Sequence, residues 1–390
     1  MRRADTPKLF TAASWCCEQP GENEENMSKS SKHVLNLKAG EYVEVRSEQE
    51  ILATLDAQGR LENLPFMPEM LQYCGKRLRV WKRADKTCDN IKAWSLRRMQ
   101  NAVHLEGVRC DGSGHGGCEA GCLIFWKEAW LKRVDANLIP TASLQLTSAA
   151  SAPTVNGCRC TISDVFRACR TVNCDGDEIY SCQATELRNF TSDMGRWDIR
   201  EFIRDLRSGN LTTGLAVTKA DRMLETVLGA LQLLRALITE VFNKVQRTRH
   251  GGMYPPIDGQ LQKTPIEVLN LQPGELVRVR SREEIVATLD SGNKNRGLLF
   301  EAEMLRWCGG IYRVLRRVYR IVDEKTGKML EMKHPCIVLE GVACVGDYHR
   351  YCPKAIYHYW RESWLERVET VPGLTQQPKC EEADRCLIKS

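Results

Sequence analysis

The chain lacks any apolar run near the roughly 20 residues that a membrane-spanning helix needs. Its first residues, Met-Arg-Arg-Ala-Asp-Thr-Pro-Lys, have no apolar core of the kind a secretory signal carries. The common catalytic signatures are missing too: there is no GxxxxGK[ST] loop, no GxGxxG after a strand, no HExxH and no GxSxG. Net charge is small. Fifty-six Lys and Arg against 50 Asp and Glu leave +6, compatible with an acidic partner but too little to demand one. What the chain has in excess is cysteine, 18 of 390 residues, in a sequence 43% hydrophobic and long enough to fill cores without covalent staples. That composition excludes wholesale disorder and gives room for two to four domains. With no export signal, the cysteines read as thiols or metal thiolates of a reducing, cytoplasmic compartment.

An internal repeat organises the chain. LNLKAGEYVEVRSEQEILATLD, from Leu35, matches LNLQPGELVRVRSREEIVATLD, from Leu269, at 15 of 22 positions with an offset of 234. At the same offset Cys74-Gly75 matches Cys308-Gly309, and Leu105 to Val108 matches Leu339 to Val342. Cys110, His115 and Cys118 match Cys344, His349 and Cys352; Trp126, Glu128, Trp130 and Arg133 match Trp360, Glu362, Trp364 and Arg367. The expected organisation is a flexible segment 1–34, a β-rich repeat 35–134, a linker 135–157, a Cys-rich helical insert 158–252, a linker 253–268, a second repeat 269–368 and a polar tail 369–390. Within each repeat, YVEVR and LVRVR alternate as strands do, as do Arg77 to Trp81 and Ile311 to Leu315. Glu48 to Leu55 reads as a short connector ending in an Asp turn, and Phe125 to Val134 as a closing helix. Short strands, turns and long polar loops look most like a small SH3-like β-barrel, so the fold class is α+β multidomain with duplicated SH3-like modules. That architecture more often presents an interaction surface than a chemistry.

The insert opens on a Ser, Thr and Ala-rich linker, and RWDIREFIRDLRSGN follows its cysteines as an amphipathic helix with Ile199, Phe202, Ile203 and Leu206 on one face. A long helix is expected from about Lys219 to Lys244. Leu224, Val227, Leu231, Leu234, Ile238, Val241 and Val245 step 3,4,3,4,3,4, the seam of a helix packed along its length. Intramolecular packing and self-association through residues 219–247 both satisfy that spacing.

The cysteine spacing permits metal chemistry. Cys110-x4-His115-x2-Cys118-x3-Cys122 is a glycine-rich loop able to fold tightly round an ion. With Cys88 from the preceding basic loop it offers a tetrahedral zinc site of Cys88, Cys110, Cys118 and Cys122, or one in which His115 replaces a cysteine. The second copy has Ile356 in place of Cys122, so its set would be Cys336, Cys344, Cys352 and either His349 or His358. In the insert, Cys158, Cys160, Cys169, Cys174 and Cys182 suggest a third centre with one thiol in surplus, whose thiolate Arg159, Arg167 and Arg170 would stabilise. Two to three zinc ions are expected; an iron or iron–sulfur centre uses similar ligands, and plain buried thiols are the bland alternative. Cys74 and Cys308 read as structural thiols, and Cys16, Cys17, Cys380 and Cys386 as thiols without a site.

Two other readings compete. Lys76 to Arg98 holds nine basic residues with Trp81 and Trp94, and Arg306 to Arg320 five basic residues and three aromatics, a pattern suited to nucleic acid. The same alternation is also the wet face of a strand, so nucleic acid is not favoured. Glu106 with Glu128, and Glu340 with Glu362, could serve a zinc-bound water as base, although salt-bridge duty is the plainer role. The preferred reading is a zinc-stabilised interaction or scaffold protein with a protein partner and no membrane; the rival is a zinc- or iron-dependent enzyme, a hydrolase or biosynthetic modifier.

Overall fold

The strand Tyr42–Val45 buries Val43 and Val45 and turns its polar residues outward, as its alternation requires. The next residue but one starts a helix: Ser47 accepts from the Glu50 N–H and Glu50 reaches back to the Ser47 N–H, a reciprocal cap on Glu48–Leu52. Ser281 and Glu284 repeat that cap on Arg282–Val286. The computed structural model of the chain describes residues 34–92, 95–134, 160–195, 198, 200–211, 219–248 and 257–368. The expected segment 1–34 (but for its last residue), the linker 135–157, the tail 369–390, and Cys16, Cys17, Trp94, Cys158, Arg159, Ile199, Cys380 and Cys386 lie outside those residues.

The first repeat forms a five-stranded antiparallel sheet in the order Leu123–Lys127, Ala102–Arg109, Arg77–Arg83, Tyr42–Val45, Leu131–Arg133. The second has the same order in four strands: Met329–Leu339, Ile311–Val322, Leu276–Val279, Leu365–Arg367. Its fifth strand shrinks to two bridges, Ile337 with Trp360 and Ala343 with Tyr357. Where the second repeat has one long hairpin, the first breaks it, and Lys86–Cys88 and Leu96–Arg98 form a separate small sheet. Each core centres on an aromatic trio. Phe66, Trp126 and Trp130 meet edge to face at 5.4–6.5 Å, and Phe300, Trp360 and Trp364 at 5.4–6.4 Å. Each such pair adds about 0.5–1.5 kcal/mol beyond its buried area.

The expected helix over Phe125 to Val134 is instead a strand, a single 3-10 turn at Glu128–Trp130, and a second strand. A ten-residue helix is marginal alone, and tertiary contacts decide the matter. Trp130 donates its indole N–H to Thr54 Oγ1 at 3.0 Å, while the buried Glu128 carboxylate accepts the N–H groups of Leu35, Asn36 and Leu37 and pairs with Arg83 at 2.7 Å. Glu362 repeats this with Leu269, Leu271 and Arg317, and Trp364 with Thr288.

The insert packs on the first repeat. Ser192–Asp193 pairs with the strand Leu96–Arg98, and Gln183 bonds both the N–H and C=O of Phe125. On the helix Arg200–Ser208, Ile203 is exposed and Leu206 half-buried, while Glu201, Asp205 and Ser208 are buried. The first repeat supplies the reason, since Lys86 pairs with Asp205 and Arg98 with Glu201. The long helix spans Lys219–Thr248. Val227, Leu231, Leu234, Ile238, Val241 and Val245 are all exposed on it. Among the described residues no helix is long and apolar enough to cross a membrane. The architecture is thus a duplicated β-rich module flanking a helical, cysteine-containing insert.

The two repeats meet through a pseudo-twofold exchange. The Cys88 N–H points at Cys352 Sγ at 3.0 Å, and at the equivalent place the Val322 N–H points at Cys118 Sγ at 3.3 Å. Asn90 and its counterpart Glu324 bond to one another.

Candidate metal centres

Each Cys/His loop follows a long strand and closes on itself. Cys110 N–H bonds the Cys122 carbonyl, and Cys344 N–H bonds the carbonyl of Ile356, both at 2.8 Å. Inside the loop, His115 and Gly117 donate to the Gly112 carbonyl, as His349 and Tyr351 donate to Gly346. Gly112 has φ +74° and a side chain there would strike the Cys118 carbonyl at 2.0 Å; Gly346, with φ +86°, would meet the Cys352 N–H at 2.8 Å. Glycine is required at both, which is why the sequence holds it at equivalent places.

The closure brings three donors together twice. Glu69, Cys110 and His115 have ligand atoms within 4.8 Å of one another, and so have Glu303, Cys344 and His349. In the first group His115 Nδ1 is 2.6 Å from Glu69 Oε1, which also accepts the Gly114 N–H at 2.9 Å and lies 3.6 Å from Cys110 Sγ. In the second, His349 Nδ1 is 3.4 Å from Cys344 Sγ and 3.8 Å from Glu303 Oε1. Both glutamates and His115 are buried, yet Glu69 Oε2, Glu303 Oε2 and His115 Nε2 have no hydrogen-bond partner. Orphaned polar atoms of that depth cost about 1–3 kcal/mol each. A cation bound at His115 Nε2 would satisfy that nitrogen.

The electrostatics fit the same account. Burial first, then the adjoining carboxylate, pushes both Cys110 and Cys344 thiols well up. Against the cost of burial, bonds from His115 and Gly114 hold Glu69 below the usual carboxylate value, whereas at Glu303 burial wins and the value rises. A bound divalent ion reverses this logic at the sulfurs and deprotonates them.

The other expected ligands fall into place unevenly. Cys118 accepts from Val322 across the inter-repeat contact, and Cys122 is half-buried, its thiol pushed up by desolvation to about 12. Cys88 does not sit on its own repeat's loop but against Cys352, with 3.2 Å between sulfurs. Burial opposes ionisation of Cys352, yet bonds from Cys88 and the Lys354 N–H hold it down at about 6. Cys336 is in a strand, packed with Val318 and Val338 and approached by Arg361 at 3.5 Å, outside the Glu303 group. His358 is buried with Nε2 unpartnered, and burial then the charge of His349 hold it at about 4. In the insert, Cys160 and Cys182 pack against the first core, Cys169 donates to Val165, and Cys174 is exposed. Burial raises Cys169, and the charges of Glu69 and Cys182 add to it. Cys74 and Cys308 are raised by burial to about 11, and no disulfide joins the described cysteines.

The glutamates beside the clusters are Glu69 and Glu303, not Glu106, Glu128, Glu340 or Glu362. Glu106 and Glu340 are exposed partners of Arg79 and Arg313, and Glu128 and Glu362 clasp backbone. The signal was in the repeat: Glu69-Met-Leu and Glu303-Met-Leu match at the offset of 234. Six of the nine basic residues over 76–98 are in ion pairs within the chain: Arg77, Arg79, Arg83, Lys86, Arg97 and Arg98. A cleft of about 440 Å³ lies beside Arg83, Arg98 and Arg204, and one of about 120 Å³ beside Arg317 and Glu362; neither includes a member of the two clusters. Comparison with protein-family models, curated proteins and solved structures gives no match, so the functional reading rests on these residues themselves.

Proposed function

We propose that the protein is a zinc-stabilised interaction or scaffold protein, built on two small SH3-like barrels whose Cys/His loops are each closed on an ion. The observation that carries this is the recurrence, at one sequence offset, of a buried Glu/Cys/His cluster with orphaned polar atoms. Such loops have little apolar surface of their own, and a structural metal supplies the missing folding energy. Mixed sulfur and imidazole donors suit zinc. In the first centre Cys110, His115, Cys118 and Cys122 are the ligands, with Glu69 fixing the His115 ring through Nδ1 and leaving Nε2 for the ion. Cys344, His349 and Cys352 serve the second. That the clefts lie away from both clusters supports a structural over a catalytic role. Reduced thiols suit a cytoplasmic setting. The exposed heptad seam of Lys219–Thr248 suits a second copy of the same helix, which would present a matching seam.

The test is elemental analysis of the full chain purified without added metal, before and after exhaustive chelation. About two zinc ions per chain are expected, with one lost in Cys110→Ser and the other in Cys344→Ser. Metal-free wild-type protein, or iron in place of zinc, overturns the reading.

A further inference from the structure

The two loops differ by a reciprocal exchange. Cys122 of the first has Ile356 as its counterpart, so the second loop has one thiol fewer; Cys88 of the first repeat has Val322 as its counterpart. The pseudo-twofold contact puts each of these strand positions against the opposite repeat's loop, with Cys88 N–H on Cys352 Sγ and Val322 N–H on Cys118 Sγ. The thiol missing from the second loop is therefore delivered from the first repeat. Counted this way, both loops have three sulfurs and one imidazole.

Two donor pairs stand near the spacing that such a shell needs. Zinc–sulfur bonds of about 2.3 Å at a tetrahedral angle hold two sulfurs about 3.7 Å apart, whereas a disulfide needs about 2.05 Å. Cys88 and Cys352 stand 3.2 Å apart, nearer the former, and neither is in a disulfide. On the same loop, Cys344 Sγ and His349 Nδ1 are 3.4 Å apart, against about 3.6 Å for a sulfur–nitrogen edge of such a shell. The pair is also set among groups that compensate negative charge. Cys352 accepts backbone N–H bonds from both Cys88 and Lys354. The Lys354 ammonium is itself buried with no hydrogen bond, its nearest carboxylate oxygen on Glu324 3.7 Å away.

We propose that the second centre is shared between the repeats: Cys88 and Cys352 bind one zinc-type ion, with Cys344 and His349 completing a three-sulfur, one-imidazole shell that staples the two modules. This rests on the metal-binding reading above. It goes further in giving Cys88 to the other module's centre.

The experiment loads the full chain with cobalt(II) under anaerobic, reducing conditions and reads the ion count and the sulfur-to-cobalt absorption. Cys88→Val places at 88 the residue the second repeat has at the equivalent place, so it keeps the packing; Cys88→His restores a ligand. The expected result is a fall from about two ions per chain to about one in Cys88→Val, with the sulfur band weakened, and recovery of the ion in Cys88→His. Cys110→Ser should remove only the other ion. If Cys88→Val holds both ions with an unchanged band, or if the anaerobic wild-type protein has a Cys88–Cys352 disulfide by mass, the shared centre is wrong while the two-centre reading stands. If the wild-type chain binds no cobalt, the two-centre reading fails first.

Discussion

Replacing Glu128 by glutamine should destabilise the first repeat more than the equivalent change at Glu362 destabilises the second. Glu128 Oε2 accepts the N–H groups of Leu35 and Asn36, and Oε1 those of Leu37 and Arg83. Glutamine has one acceptor end, so wherever its NH2 group points it faces two donors and orphans both. At about 1–3 kcal/mol per buried donor, and with a buried ion pair broken, the cost is about 3–5 kcal/mol. Glu362 Oε2 accepts from a single donor, the Leu269 N–H, and its ion pair with Arg317 is less deeply buried than that of Glu128 with Arg83, so its glutamine costs less, about 1–3 kcal/mol. In thermal unfolding followed by tryptophan fluorescence, Glu128→Gln should lower the first transition by on the order of 10 °C, and Glu362→Gln by less than half of that. Equal shifts, or a Glu128→Gln protein melting with the wild type, would refute the account of Glu128 as the clasp on the 35–37 segment.

Three further outcomes are expected. His104 is buried with Nδ1 on the Ile124 carbonyl, and burial holds it at about 3 against 6.5 in the open chain. Above pH 6.5 neither state binds the proton; below it only the unfolded chain does, so stability falls between about pH 6.5 and 3, and His104→Phe should flatten part of that slope in urea titrations. Gly112→Ala must force a side chain onto the Cys118 carbonyl, and should release one ion by elemental analysis while leaving the other. An unchanged ion count would mean that the loop tolerates opening. Leu231→Asp with Ile238→Asp, both exposed, should abolish self-association in sedimentation velocity without changing the melting temperature; a wild-type chain that sediments as a monomer rules out the helix as a dimer seam.

Much of the architecture was legible because it is written twice. The offset of 234 located both modules, the strand pair around Val43 and Val277, and the loop residues Cys110/His115/Cys118 and Cys344/His349/Cys352. Local signals sufficed only where a short-range force decides, as in the tight glycine turns of the first loop around Gly112. They failed where a distant partner decides. Trp126, Trp130, Leu131 and Val134 have helical spacing, yet their backbone follows the sheet and the Glu128 clasp. The face of Arg200–Ser208 that looks apolar stays partly outside because Lys86 and Arg98 draw Asp205 and Glu201 inward.

By itself the sequence determined that two like modules exist, that each has a loop of cysteine and histidine, and that an insert with thiols separates them. A repeat is a property of the chain and needs no coordinates. Only the tertiary structure decided which side chains share a site. It brought Glu69 and Glu303, 41 residues ahead of the loop cysteines, into contact with them, and it set Cys88 against Cys352 across 264 residues of chain. Donor geometry depends on where strands pair and loops close, and spacing along the chain says nothing of a partner that arrives from the other module.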